Sequence, residues 1–291
     1  MISIIITSYK EPNTIGRAVE SIIKNNIKDY EILITAPDEE TLSIARKYSQ
    51  KNKKIKLIKD SGKGKPAALN LVVPKAKGDI LVLTDGDVYV GENSLKPLLK
   101  YFENKNVGAV SGNPVSLNSK KNMLGFWAYL LTNVANKRRK NADKLNKRFF
   151  CSGYLFAIRK NLFPKLPEEL LSEDGFISNE VYEKNFKLAY SENSKVFVKY
   201  PSLFKDWILQ KKRSAGGYNQ IKKLKGVEIR SFKKESLGVF GLFEYISNFR
   251  EFLWFLLLIF SRIYLWFLIY RDITLKQKSS KEIWKRIEST K

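Results

Sequence analysis

Two aspartates, Asp85 and Asp87, stand one residue apart at the end of the apolar run "DILVLTDGDVYV" (79–90). In an extended chain, residues two apart face the same way, so both carboxylates can reach one ion. Gly86 between them leaves room for a ligand to approach the backbone. Hard cations such as Mg²⁺ or Mn²⁺ take oxygen ligands and often share them with substrate phosphates. An Asp-Gly surface turn is the competing reading of the same letters. A second acidic pair, Glu173 and Asp174, lies in "LLSEDGF" (170–176), where Ser172 before two acids is also an ordinary helix N-cap pattern. The Gly- and Lys-rich "SGKGKPAALN" (61–70) opens a helix. Such a segment holds phosphate through backbone N–H groups, a helix N-terminus and lysine charge. It does not match the P-loop pattern, and a solvated lysine loop would look the same. "ILQKKRSAGGYNQ" (208–220) clusters Lys211, Lys212 and Arg213 beside two glycines, either as a diphosphate clamp or as a surface charge run.

Composition narrows the chemistry. The chain has no histidine and one cysteine, Cys151. Ser-His-Asp hydrolysis, histidine-based zinc chemistry, an intramolecular disulfide and a Cys-rich zinc site are therefore excluded. A carboxylate is then the natural general base for activating a hydroxyl. The 291 residues are 44% hydrophobic, enough for one large α/β domain or a domain with an appendage. A formal charge of +24 predicts affinity for polyanions: nucleic acid, anionic lipid headgroups or phosphorylated small molecules. The opening "MISIIITSYK" has no basic leader and predicts no signal peptide.

The elements that must position these residues alternate from the start. Strands are expected at 2–9, 30–37, 54–60 and 79–87, with helices at 13–26, 38–50 and 65–76 between them. This order implies a mostly parallel sheet with helices on both faces, and ligands of such sheets gather beyond the carboxyl ends of the strands. Each of these strands ends in polar groups: Thr7-Ser8, Thr35 with Asp38, Asp60, and Thr84-Asp85. Beyond 107 the pattern predicts a strand at 107–115, a helix at 122–140, a strand pair or strand and turn at 149–160, a helix from 172 and a β-segment at 187–201.

The tail "FLWFLLLIFSRIYLWFLIYRD" (252–272) is the most apolar stretch of the chain. As a helix, 252–270 would run about 28 Å at ~1.5 Å per residue, close to a hydrocarbon core of about 30 Å. Arg262 falls in its middle, and Glu244, Glu251 and Arg262 fall near one helical face, which also permits a helix lying in the membrane interface. A buried helix or a dimer interface are the alternatives. Basic runs flank the segment and end the 122–140 helix, which fits a cytoplasmic face against anionic lipid.

Taken in order, these motifs resemble the inverting family-two glycosyltransferases of GT-A fold over roughly residues 1–220. "IIITSYKEPNTIGRAVESI" resembles their first strand and turn, with Glu11 matching the acid and Lys10 where asparagine is frequent. "GKGKPAALN" resembles their G-K-x-x-A-L-N segment, "TDGD" their D-x-D motif and "SED" their catalytic acidic pair. Gly153 and Arg159 fit a G-x(5)-R pattern, and "QKKR" resembles a reduced Q-x-x-R-W with Gln210 and Arg213 in place. The family's D-D-G-S is replaced by T-A-P-D, leaving Asp38 as the acid facing the base. Ser214 replaces the tryptophan typical of polymer-forming synthases, which argues against processive polymerisation.

The resemblance implies a metal-dependent glycosyl transfer from a nucleotide-diphosphate sugar of UDP or GDP type. Glu11, Asp38, Lys65, Asp85, Gln210 and Arg213 would bind the donor, and Asp85 and Asp87 would hold Mg²⁺ or Mn²⁺. Asp174 would be the base, and Gly153 and Glu173 would lie on the side of a sugar or lipid-linked acceptor. It implies a nucleotide-sugar half (1–115) and an acceptor half (116–235), to which the apolar tail adds a membrane-associated helical segment (236–291), peripheral or single-span, with a soluble cytoplasmic protein as the alternative. A nucleotidyltransferase on a similar sheet is the rival enzyme, but it does not explain the acidic pair at 173–174. A basic nucleic-acid-binding protein is the rival from another class; it would want stacking aromatics among its basic residues, which the sequence lacks.

Overall fold

The computed structural model describes residues 1–227, 240–276 and 278–290. Four strands alternate with three helices as the apolar runs predict: β1 (Ile2–Thr7), α1 (Ile15–Ile23), β2 (Tyr30–Ala36), α2 (Glu39–Lys51), β3 (Ile55–Lys59), α3 (Lys65–Val72) and β4 (Ile80–Asp85). Strand periodicity sorts their side chains. Ile4, Ile6, Ile32, Ile34 and Val82 pack with α1 on one face, while Ile5, Leu33, Leu81 and Leu83 pack with α3 on the other. Each such buried side chain favours folding by roughly 1.5–3 kcal/mol over leaving it in water.

The second half comprises β5 (Val88–Val90), α4 (Leu95–Lys100), β6 (Val107–Ser116), α5 (Met123–Lys144), β7 (Leu155–Arg159), α6 (Glu173–Glu183), β8 (Lys187–Val198), α7 (Phe204–Lys225) and α8 (Phe249–Ile269). All eight strands join one sheet in the order β3-β2-β1-β4-β7-β6-β8-β5. The β1–β2, β1–β4 and β2–β3 pairs are parallel. The sheet is mixed beyond that point, because β7 enters antiparallel between β4 and β6. One strand, β7, occupies the 149–160 stretch.

A third apolar layer is purely helical. Trp127 and Leu130 of α5, Trp207 and Ile208 of α7, and Phe255 and Leu258 of α8 form one buried cluster. Trp127 also donates its indole N–H to the Trp254 carbonyl at 2.7 Å. The expected boundary at 235/236 lies outside the described residues.

Candidate active site

The parallel strands reverse direction of addition at β1, which has β2 on one side and β4 on the other. Ligands of open α/β sheets bind at such a switch point. Here the cleft of about 1360 Å³ opens, lined at this end by Thr7, Ser8, Glu11, Asp60, Asp85 and Asp87. Asp85 is the last residue of β4, and Gly86-Asp87 form the turn into β5. Both carboxylates line the cleft through this turn and not through strand alternation. The role read for Gly86 is also corrected. A Cβ there would lie 2.4 Å from Ser8 Oγ and 2.6 Å from Glu11 Oε2, so the missing side chain admits a protein contact and not a ligand. Glu11 is buried in that contact, accepting from Ser8 Oγ at 2.6 Å and donating its N–H to Thr41 Oγ1 at 2.8 Å.

Asp38 caps α2. Its Oδ1 accepts from the Thr41 N–H at 2.9 Å and its Oδ2 from the Lys10 N–H at 2.7 Å. Burial works against the charged carboxylate, but these bonds outweigh it and hold the Asp38 carboxyl below its usual range. The lysine-rich loop turns through Gly62 and Gly64, at φ of 69° and 106°, into the first residue of α3, and it does line the cleft.

Lys65 does not extend into the open cleft but crosses it. Its ammonium lies 2.6 Å from Asp85 Oδ1 and 2.8 Å from Glu173 Oε1, and 3.4 Å from the Gly153 carbonyl. Burial disfavours the charge, yet the two carboxylates prevail and hold Lys65 protonated well above the ordinary lysine range. Burial, with Asp174 adding to it, pushes the Glu173 carboxyl up, and Lys65 partly reverses this. Asp174 accepts from Ser172 Oγ at 2.6 Å, from the Gly175 N–H at 2.8 Å and from the Gly153 N–H at 3.0 Å. Gly153, from the turn before β7, thus touches the side chain read as the base.

The 208–220 cluster divides. On α7, Gln210, Lys211 and Arg213 line the cleft, whereas Lys212 pairs with the buried Asp272 beyond α8. Gln210 is buried, and its Oε1 accepts no hydrogen bond among the described residues. The two glycines serve packing. A Cβ on Gly217 would come 2.5 Å from Ser172 Cβ, and one on Gly216 2.8 Å from Leu171 Cδ1, so α7 presses on the turn that launches Asp174. Arg159 sits outside the cleft, at the far end of β7, donating to the Val107, Phe102 and Asn104 carbonyls. Sequence reading passed over Tyr9, Arg138, Arg139, Tyr154, Trp284 and Arg286, all of which line the cleft. Only the basic end of the 122–140 segment hinted at any of them.

Residues 3–166 match the family model described as glycosyl transferase family 2, more than half of the chain. The chain belongs to that family. Among curated relatives of this family 2 chain, glycosyltransferase GlyA of Streptococcus pneumoniae is 23% identical over 205 residues, covering 66% of this chain and 30% of that protein. A beta-monoglucosyldiacylglycerol synthase of Nostoc is 26% identical over 133 residues, covering 43% of this chain and 28% of that protein. The family 2 chain thus spans less than a third of the length of either relative. Among solved structures, mannosyltransferase PcManGT from Pyrobaculum calidifontis, in complex with GDP-Man and Mn²⁺, shares the GT-A-type fold at a TM-score of 0.65. It is 16% identical, and the match covers 96% of this chain and 88% of that one.

Proposed function

We propose that this family 2 chain transfers a sugar from a nucleotide-diphosphate donor to an acceptor hydroxyl or phosphate, inverting the anomeric carbon. The observation that carries the reading is the convergence on Lys65, which joins Asp85 at the end of β4 to Glu173 beside Asp174 at the start of α6. Donor-end and acceptor-end acids thereby share one cleft. Glu11, Asp38, Lys65, Gln210 and Arg213 are the donor-binding residues of this reading, with Gly153 and Glu173 on the acceptor side.

The side chains fit a divalent cation. No group of three or more Asp, Glu, Cys or His capable of holding a metal occurs among the described residues. Asp85 and Asp87 both line the cleft and supply two carboxylates, the donor set through which Mg²⁺ or Mn²⁺ binds while substrate phosphates and water complete its shell. Asp85 Oδ1 is engaged by Lys65 and by Thr7 Oγ1 at 3.1 Å, so Asp85 would hold the ion through its second oxygen, with Asp87 as the other carboxylate. When bound, the ion neutralises the diphosphate leaving group. Asp174 takes the proton from the acceptor hydroxyl as that oxygen bonds to the anomeric carbon and the bond to the diphosphate breaks. Lys65 stays protonated and supplies positive charge beside the leaving group.

A thermal-shift panel of UDP- and GDP-sugars with and without Mn²⁺ tests the donor. A ligand that binds only the folded state raises stability by RT ln(1 + [L]/Kd), so one nucleotide series should stand out, and only with the metal. Asp87→Asn should abolish that metal-dependent shift; a panel in which no nucleotide shifts the wild type would sink the reading.

The membrane belongs to the same proposal. The helical stretch Phe249–Asp272 is long and apolar enough to cross a bilayer. One face of α8 packs on α5 and α7, Arg262 lines the cleft, and the opposite face leaves Phe249, Phe260 and Phe267 more than 60% exposed. A helix held on one side by protein and apolar on the other suits the surface of an anionic bilayer. A lipid-linked acceptor would then enter a cleft whose far wall includes Leu131 of α5 and Leu258 of α8.

A further inference from the structure

The C-terminal stretch returns to the opposite end of the cleft, beside β1. After a helical turn at Ser280–Ile283, Trp284 meets Tyr9 edge to face, with ring centroids 5.7 Å apart. Arg286 donates from Nη2 to the Lys10 carbonyl at 2.6 Å, and Lys10 in turn gives its N–H to Asp38. Glu288 holds the Nη1 edge of the same guanidinium. The third edge is unsatisfied: Arg286 Nε is buried with no hydrogen-bond partner among the described residues. The stretch is pinned to α7, where Asp206 Oδ2 accepts the Ser289 N–H at 3.0 Å, and Ile287 and Thr290 are buried. Trp284, Arg286 and Ile287 line the cleft together with Tyr9 and Glu11.

A buried guanidinium edge without a partner is costly, and a ligand oxygen would relieve that cost. Trp284 is 41% exposed, so its indole has surface left to cover a planar ligand. We propose that residues 284–287 form a wall of the donor pocket. In it Trp284, beside Tyr9, packs on the nucleoside, and Arg286 donates from Nε to an oxygen of the nucleotide. This rests on reading the cleft as a nucleotide-sugar site. It goes beyond that reading by assigning two binding residues from a part of the chain that the family match, ending at residue 166, does not reach.

Calorimetric titration of the full chain with UDP and with GDP in Mn²⁺ tests it. Trp284→Ala and Arg286→Ala should each weaken the preferred nucleotide about tenfold, the scale of one hydrogen bond to a charged group or one stacked ring. Wild-type binding that both variants retain within about twofold would overturn the wall and leave the wider reading intact. A wild type that binds neither nucleotide would overturn both. Amide exchange on the wild type gives a readout that needs no variant. Saturating nucleotide should slow exchange at residues 284–287, and unchanged exchange there would also overturn the wall.

Discussion

Asp174 accepts three hydrogen bonds, from Ser172, Gly175 and Gly153, which leaves about one of a carboxylate's four lone-pair directions open. A group held on three sides and open on one suits the removal of a single proton. Asp174→Asn keeps the shape and loses the basicity. Turnover should fall by roughly 10²–10⁴-fold while the calorimetric affinity for donor stays within about twofold; near-wild-type turnover would remove Asp174 from its role. At this scale the sequence was legible where chemistry sits in adjacent letters, as with Asp85 and Asp87 or Glu173 and Asp174. It offered Lys65 as a donor-binding residue but not its pairing, because Asp85 and Glu173 are distant in the chain and meet only when β4 and α6 are assembled. Gly86 was misread for the same reason, since its neighbours Ser8 and Glu11 come from another strand end.

Elements place those residues through contacts that substitution can probe. Gly217 lets α7 lie against Ser172, two residues before the base. Gly217→Ala would force the two apart, with an expected loss of about 1–3 kcal/mol in stability by urea unfolding and a lower kcat. Glu31 of β2 has a comparable role away from the site. Its Oε1 accepts from Ser3 Oγ at 2.8 Å and the Lys77 N–H at 2.6 Å, and its Oε2 pairs with Lys56 at 2.9 Å. Burial would raise this carboxyl, but the Lys77 and Lys56 bonds, helped by Ser3, hold it below the ordinary range. A depressed folded-state pKa adds stability above the unfolded value of roughly 4.3, and that increment disappears as pH falls through the folded value. Glu31→Gln should therefore cost about 1–3 kcal/mol at neutral pH, and urea curves of the two proteins should converge as the pH falls through the folded value. The β-α alternation was legible through β4, to residue 85, because each local apolar run ends in polar groups. Beyond that, β6, α5, α6 and β8 lie where their local patterns put them, but β5 and α4 went unread and so did the sheet order, because β7 takes its place between β4 and β6 through pairings that no local pattern encodes.

At the scale of the molecule, charge and apolar surface act together. A chain of net charge +24 carries one helix face with Phe260 at 68% and Phe267 at 61% exposure. Burying one such ring in lipid favours binding by roughly 1.5–3 kcal/mol. Phe260→Glu with Phe267→Glu should release the protein from anionic vesicles in flotation, whereas high salt alone should release it only in part. Equal flotation of wild type and variant would detach α8 from the membrane reading. The tail's apolar character was plain from composition, but which face of α8 the protein keeps for itself depended on the aromatic cluster with α5 and α7.

The sheet order also sets a timetable. β1, β2, β3 and β4 can pair as soon as residues 1–85 exist, but β4 gains its second neighbour only from 155–159, and β5 gains its partner only from 196–198. Closing such distant pairings is slow. During synthesis the edge of β4, with Leu81, Val82 and Leu83, therefore waits unpaired for β7. A nascent chain stalled before residue 150 should expose that edge to chaperones, and one stalled beyond residue 200 should not. Ribosome-bound chains probed by pulse proteolysis would reveal the interval, during which the chain is most exposed to aggregation.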